Sequence, residues 1–119
     1  MGRSPSSSVN TMSAKMAQFD VFANPIATTR RAYPFVVALQ SDFAQYAREQ
    51  IVAPLVPLTS MPKVISRLIP IVALEGSEHM VLVPALTGLQ ARDLMDRHGS
   101  IASARSEVLA AIDYLFFGV

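Results

Sequence analysis

The apolar residues of this chain fall in short runs of strand length that are separated by turn-forming residues. The runs "QFDVFA" and "PFVVALQS" flank the polar stretch "NPIATTRRAY", so we expect a β-hairpin closed by a long loop. A second hairpin is predicted from "LIPIVALE" and "HMVLVPAL", because Gly76 and Ser77 lie between them. The segment "LQARDLMD" is compatible with either a strand or a helix.

One apolar run, "IVAPLVPL", contains Pro54 and Pro57. Proline has no N–H to donate to a sheet, so this run should be an edge strand, a bulged strand or a piece bent between two sheets. Several short strands, no internal repeat and one clear helix argue against a doubly wound α/β fold. The pattern predicts a mainly β protein built around a small barrel.

The segment from Ser103 to the end favours a helix, with a serine as its N-cap. At about 100° per residue, one apolar stripe is expected to face the sheet, and its members are Val108, Ile112, Leu115, Phe116 and Val119. Phe117 projects from the opposite, polar face, above Ser106, Ala110 and Asp113. Its ring either packs against a loop or a second subunit, or forms an exposed binding tip.

Composition limits the class of protein. The 119 residues suit one domain, and 51% hydrophobic against 16% charged residues favours a homodimer that buries apolar surface. Every apolar run is shorter than the ~20 residues of a membrane span, so no membrane association is expected. The absence of cysteine excludes disulfides and thiol nucleophiles, and a cytoplasmic location is expected.

Residues 1–15 are predicted to be a disordered leader or a mis-assigned start, with the domain at 16–119.

Candidate chemistry is sparse. From Met16 onward, eight basic and nine acidic residues give a balance of −1, so no basic surface for nucleic acid is expected. His79 and His98 lack the spacing of a metal site and are interpreted as ordinary strand or surface histidines. Arg30 and Arg31 could hold a phosphate or an acidic partner, although adjacent loop arginines are usually solvated. We expect no enzyme activity, no metal and no cofactor.

The final residues, "AIDYLFFGV", resemble the carboxyl terminus of the CcdB toxin family, which ends in an Ala-Ile-Asn-Leu-Met-Phe-Trp-Gly-Ile type motif. The resemblance extends to "QFDVF", "YPFVVALQSD", "IVAPL" and "KVISRLIPIV", in the same order as in the family, and covers nearly all of residues 16–119. It implies an SH3-like barrel of the CcdB/MazF type with a carboxyl-terminal helix, assembled as a homodimer.

The resemblance also implies a function. Members of the family bind the A subunit of DNA gyrase and trap the enzyme on cleaved DNA, and a cognate antitoxin with an acidic, disordered tail neutralises them. Carried over, the gyrase-binding residues are Phe117, Gly118 and Val119, supported by Asp113, Phe43 and Ala44. Arg30, Arg31 and Arg105 are the candidate antitoxin contacts.

Two residues and one loop depart from the family pattern. Phe117 replaces the family Trp, Asp113 replaces its Asn, and the loop "NPIATTRRA" is longer than its counterpart. One alternative is therefore a degenerate relative that binds antitoxin without poisoning gyrase. A second is a MazF-like ribonuclease toxin, for which Arg30, Arg31 and His98 are the available catalytic groups.

Overall fold

The computed structural model of this protein describes residues 17–41, 48–62 and 65–118. Within these ranges the chain is mainly β with one carboxyl-terminal α-helix, as predicted. The strands are β1 (Asp20–Ala23), β2 (Phe35–Ala38), β3 (Glu49–Pro57), β4 (Ile71–Leu74), β5 (Ser77–Val81), β6 (Thr87–Gln90) and β7 (Arg97–Ser100), and the helix is α1 (Arg105–Phe117). The prediction of a disordered leader over 1–15 falls outside the described residues.

All strand pairs of the described chain are antiparallel and belong to one sheet with the order β4-β5-β3-β2-β1-β7, while β6 pairs with part of β3. Both predicted hairpins are confirmed: β1 pairs with β2, and β4 pairs with β5. The ambiguous segment 89–96 contains both kinds of structure, since β6 ends at Gln90 and a 3-10 turn follows at Ala91–Asp93.

The proline-bearing strand β3 lies inside the sheet, so of the three alternatives predicted for this run the edge strand is wrong. One side of β3 pairs with β2, and the other side is divided between β6, opposite residues 49–52, and β5, opposite residues 55–57. Pro54 lies between these two partners, and its carbonyl accepts a hydrogen bond from the Leu82 N–H at 2.9 Å. Pro54 therefore falls at the change of partner, where its carbonyl is paired with Leu82 although the proline has no N–H to donate.

Both faces of the central strands are buried. Alternation along β1 to β3 sends one set of side chains toward α1, including Val21, Val37 and Leu55. The other set, including Phe22 and Val36, packs under the β6–β7 connection in a second apolar cluster. Because the central strands are covered on both sides, the sheet gives α1 a rigid base.

The helix α1 begins at Arg105, after the predicted N-cap Ser103. A 3-10 turn at Ala102–Ala104 precedes α1, whose N-cap is Ala104 without a side-chain hydrogen bond, so the serine N-cap at Ser103 is wrong. Instead, Ser100 Oγ accepts from the Ala102 N–H at 3.1 Å.

No helix of the described residues is long and apolar enough to span a membrane.

The buried face of α1 also differs from the predicted stripe. Val108 and Ala111 are fully buried, Ile112 and Leu115 are partly buried, and Phe116 is 61% exposed. The expectation that Phe116 packs on the sheet is therefore wrong. The buried face is centred between Val108 and Ala111, so Phe116 lies about 110° around the helix from its centre.

The two edges of the sheet approach each other. Leu74 in edge strand β4 lies so close to Gly99 in edge strand β7 that a Cβ on Gly99 would be 3.1 Å from Leu74 Cδ1. A register shift between Val21 and Phe22 places His98 as an extra residue on β7, and such a bulge increases local twist. The sheet is thus strongly curved into a half-barrel.

Candidate functional site

The free end of α1 presents two exposed aromatic rings. Phe116 is 61% exposed and Phe117 is 74% exposed. The next residue, Gly118, ends the helix with a φ of 73°, a left-handed conformation that glycine adopts without steric cost, and its N–H donates to the Tyr114 carbonyl at 3.0 Å. This cap holds the last turn in helical form, so Phe117 is an exposed ring on an ordered backbone.

The polar face below Phe117 has the predicted orientation. Ser106, Ala110 and Asp113 are all exposed along the same side of α1. The carboxylate of Asp113 is therefore one helical turn from the Phe117 ring and accessible to a partner. Of the other residues implied by the resemblance, Phe43, Ala44 and Val119 lie outside the described residues.

A residue that the sequence analysis did not single out completes this end of the molecule. The guanidinium carbon of Arg67 lies 4.2 Å from the centre of the Tyr114 ring, which is the geometry of a cation–π contact. Arg67 belongs to the connection between β3 and β4, and Tyr114 lies one turn before Phe117. No periodicity signals this pair, because its members are far apart in sequence. We call Arg67, Tyr114, Phe117 and Gly118 the α1 tip.

The predicted antitoxin contacts Arg30 and Arg31 lie in the loop between β1 and β2. This loop is organised by buried Asn24, whose side-chain amide donates to Thr29 Oγ1 at 3.0 Å and to the Tyr33 carbonyl at 2.8 Å. Arg30 also supports the loop, since its Nε donates to the Asn24 carbonyl at 2.7 Å. Arg31 is exposed, and no hydrogen bond or ion pair engages it in the described chain.

The third predicted antitoxin contact, Arg105, occupies a different place. It begins α1, where its Nη1 donates to Gln18 Oε1 at 2.9 Å and its guanidinium lies 5.9 Å from the centre of the Phe19 ring. Twelve residues separate it from Phe117, which amounts to about 18 Å along a helix. Gln18 also precedes β1, whereas Arg30 and Arg31 follow it. The structure therefore places Arg105 near the start of β1, and Arg30 and Arg31 in the loop that follows its end.

The histidines are strand residues around one aromatic ring. Phe35 packs edge-on against His79 at 6.0 Å and against His98 at 5.1 Å between ring centroids. His79 is buried and its Nδ1 donates to the Ser77 carbonyl at 2.9 Å, while His98 Nε2 lies 3.4 Å from Asp96 Oδ2. Among the described residues no hydrogen bond or ion pair joins His98 to Arg30 or Arg31, and no cluster of three metal-binding side chains occurs.

Comparison with known proteins adds an independent finding. The family model described as CcdB protein matches residues 18–118 of the chain. A comparison with curated proteins found no match. The matched range begins just before β1 and includes the whole of α1 and Gly118.

Proposed function

Because the chain belongs to the CcdB family, whose members are toxins of toxin–antitoxin systems, we propose that it binds the A subunit of DNA gyrase and traps the enzyme on cleaved DNA. The observation that carries this proposal is the exposed ring of Phe117 at the capped end of α1, at the position of the family Trp. An apolar ring on an ordered backbone loses little conformational entropy when a partner buries it.

The proposal assigns separate roles to the predicted site residues. Phe117 inserts between the gyrase A subunits and packs against a cationic side chain, and Gly118 keeps the space beside the ring free of a side chain. Asp113, on the same face of α1, approaches a donor on gyrase. Phe43, Ala44 and Val119 supply the surrounding contacts. Phenylalanine is a weaker cation–π partner than tryptophan, so affinity for gyrase should be lower than with Trp at position 117.

The proposed assembly is a homodimer with an SH3-like barrel in each subunit, acting in the cytoplasm. Besides Phe117, which the proposal assigns to gyrase, five exposed large apolar side chains of the described chain support dimer formation: Ile26, Tyr33, Ile65, Met95 and Phe116. A closed two-fold dimer would present two α1 tips to the two halves of a gyrase A dimer. The cognate antitoxin would be an acidic segment that folds on binding, with Arg30, Arg31 and Arg105 as its cationic contacts.

Gyrase poisoning can be tested with purified components. Supercoiled plasmid, gyrase and the protein are incubated, and denaturant with protease is then added to reveal trapped double-strand breaks as linear DNA. The wild-type chain should produce linear DNA, Phe117→Ala should produce none, and Phe117→Trp should produce more. Arg92→Gln, which changes an exposed residue in the 3-10 turn after β6, is the matched control and should behave as wild type.

Growth assays separate the alternatives. Induction should arrest a host with ordinary gyrase and spare a host with toxin-resistant gyrase A. If neither host is arrested and the antitoxin still binds, the protein is the degenerate alternative, and the substitutions at Phe117 and Asp113 are the reason to consider it. Arrest of both hosts together with cleavage of messenger RNA would indicate a ribonuclease and contradict the proposal.

A further inference from the structure

The last turn of α1 receives little support from the core. Val108 and Ala111, in the first half of the helix, are its buried residues, whereas Phe116 and Phe117 are mostly exposed. The carbonyl ends of helix peptides carry partial negative charge, and α1 has no basic side chain in its last turn to offset it. The last turn of α1 therefore has only the partly buried Leu115 to hold it against the core, and it has no cation of its own.

The connection before β4 supplies a cation from outside the helix. Ser66 forms a turn in which its carbonyl accepts from the Ile69 N–H at 3.2 Å and its Oγ accepts from the Leu68 N–H at 3.1 Å. Arg67 is the second residue of this turn. The residue after this turn, Pro70, is fixed to the sheet because its carbonyl accepts from the Val81 N–H at 3.0 Å. The backbone that carries Arg67 is thus held in a turn and anchored to the sheet on its carboxyl-terminal side.

We propose that Arg67 is a positioning residue for the α1 tip: by stacking on Tyr114, it holds the last turn of the helix in the orientation that presents Phe117. That Phe117 is a binding residue rests on the proposed function. The positioning itself is a property of the free protein.

The contact acts through the aromatic ring. The guanidinium attracts the face of the Tyr114 ring, and Tyr114 belongs to the last turn of α1. The contact also bears directly on the helix cap, because the Tyr114 carbonyl accepts the Gly118 N–H. Loss of the stacking should therefore loosen the Tyr114–Gly118 hydrogen bond and let the Phe117 ring sample other orientations.

A looser tip should weaken binding by a predictable amount. If only a fraction of molecules holds Phe117 in the binding orientation, the apparent affinity falls by that fraction. An Arg67 that acts by positioning should leave the salt dependence of partner binding unchanged, whereas an Arg67 that pairs directly with a partner's carboxylate should contribute to it. The two roles can thus be separated experimentally.

The test is amide hydrogen exchange of the full chain followed by NMR, with the Gly118 amide as the reporter. Arg67→Gln and Tyr114→Leu should each speed exchange at Gly118 about two- to fivefold, the range expected from an exposed cation–π contact. The double variant should show no further increase, because both changes remove the same interaction. Tyr114→Phe keeps an aromatic face and should exchange as wild type.

Two controls test whether the variants change amide exchange throughout the fold. Arg92→Gln removes another exposed guanidinium and should leave Gly118 unchanged. The Val81 amide, bonded to Pro70, should exchange equally slowly in all variants. Unchanged exchange at Gly118 in Arg67→Gln would overturn the proposal, and so would an Arg67→Gln effect of the same size in the Tyr114→Leu background.

Binding to purified gyrase A subunit, measured at two salt concentrations, then separates this proposal from the proposed function. Arg67→Gln should weaken binding by no more than the factor by which it speeds Gly118 exchange, with an unchanged salt dependence, because affinity follows the fraction of molecules in the binding orientation whereas exchange follows the ratio of open to closed tips. A changed salt dependence would contradict a positioning role. If the wild-type chain binds no gyrase while the exchange results hold, the proposed function fails and the role of Arg67 stands.

Discussion

Leu74 and Gly99 join the two edges of the sheet, at a distance that would crowd a side chain at position 99 against Leu74. A Cβ there would lie 3.1 Å from Leu74 Cδ1, and the φ of Gly99 is +145°, which L-residues rarely adopt. The curvature that brings β4 to β7 thus depends on a residue without a Cβ.

Gly99→Ala should therefore lower the free energy of unfolding by about 1–3 kcal/mol, through steric overlap and backbone strain. Gly88→Ala is a matched control, since its Cβ would meet the flexible, exposed side chain of Glu49. It should cost less than about 1 kcal/mol. Urea unfolding of both variants measures the difference, and equal losses would show that the edge contact does not restrain the sheet.

Substitutions in α1 should separate its buried face from its exposed end. Val108→Ala should cost about 2 kcal/mol, because two methyl groups leave a fully buried position. Phe116→Ala and Phe117→Ala should each change stability by less than about 1 kcal/mol, since both rings are mostly exposed. Calorimetric melts at low protein concentration provide the measurement. A large loss at Phe116 that grows with protein concentration would place this ring in a dimer interface.

Asp20 should contribute more to stability than its ion-pair partner. Its buried carboxylate accepts from the Ala17 N–H at 3.0 Å and from Arg97 Nη2 at 3.1 Å. Asp20→Ala should lower the free energy of unfolding by about 1–3 kcal/mol, because the Ala17 N–H and the Arg97 guanidinium lose a mostly buried acceptor. Arg97→Ala should cost less than about 1 kcal/mol, since the Arg97 side chain is 55% exposed and water can replace it. Equal losses in chemical denaturation would contradict this ranking.

The β4–β5 turn should be open to stabilisation. Glu75 and Gly76 both have positive φ, at 52° and 81°, as in a type I′ turn. Asparagine tolerates this conformation better than glutamate, so Glu75→Asn should raise the free energy of unfolding by about 0.5 kcal/mol. Glu78→Asn, in the neighbouring strand β5, is the control and should be neutral or slightly destabilising. An unchanged midpoint for Glu75→Asn would indicate that the turn is not strained.

Local sequence determined much of this protein. The two hairpins, the carboxyl-terminal helix and the outward direction of Phe117 follow from short-range alternation, turn residues and helical periodicity, which act over a few neighbouring residues. The family was also accessible from sequence, because its motifs are contiguous segments in a fixed order. The proposed gyrase and antitoxin contacts remain predictions.

Only the tertiary structure decided where these elements meet. Pro54 lies inside the sheet because β6 and β5 divide one side of β3, a pairing between distant segments that proline content cannot reveal. Phe116 is exposed because α1 packs on the core through Val108 and Ala111, so the position of this contact outweighed the size of the apolar side chain. Arg67 stacks on Tyr114 because the sheet places their two elements side by side. Periodicity reports which face of an element is apolar, but the packing partner determines which residues on that face are covered.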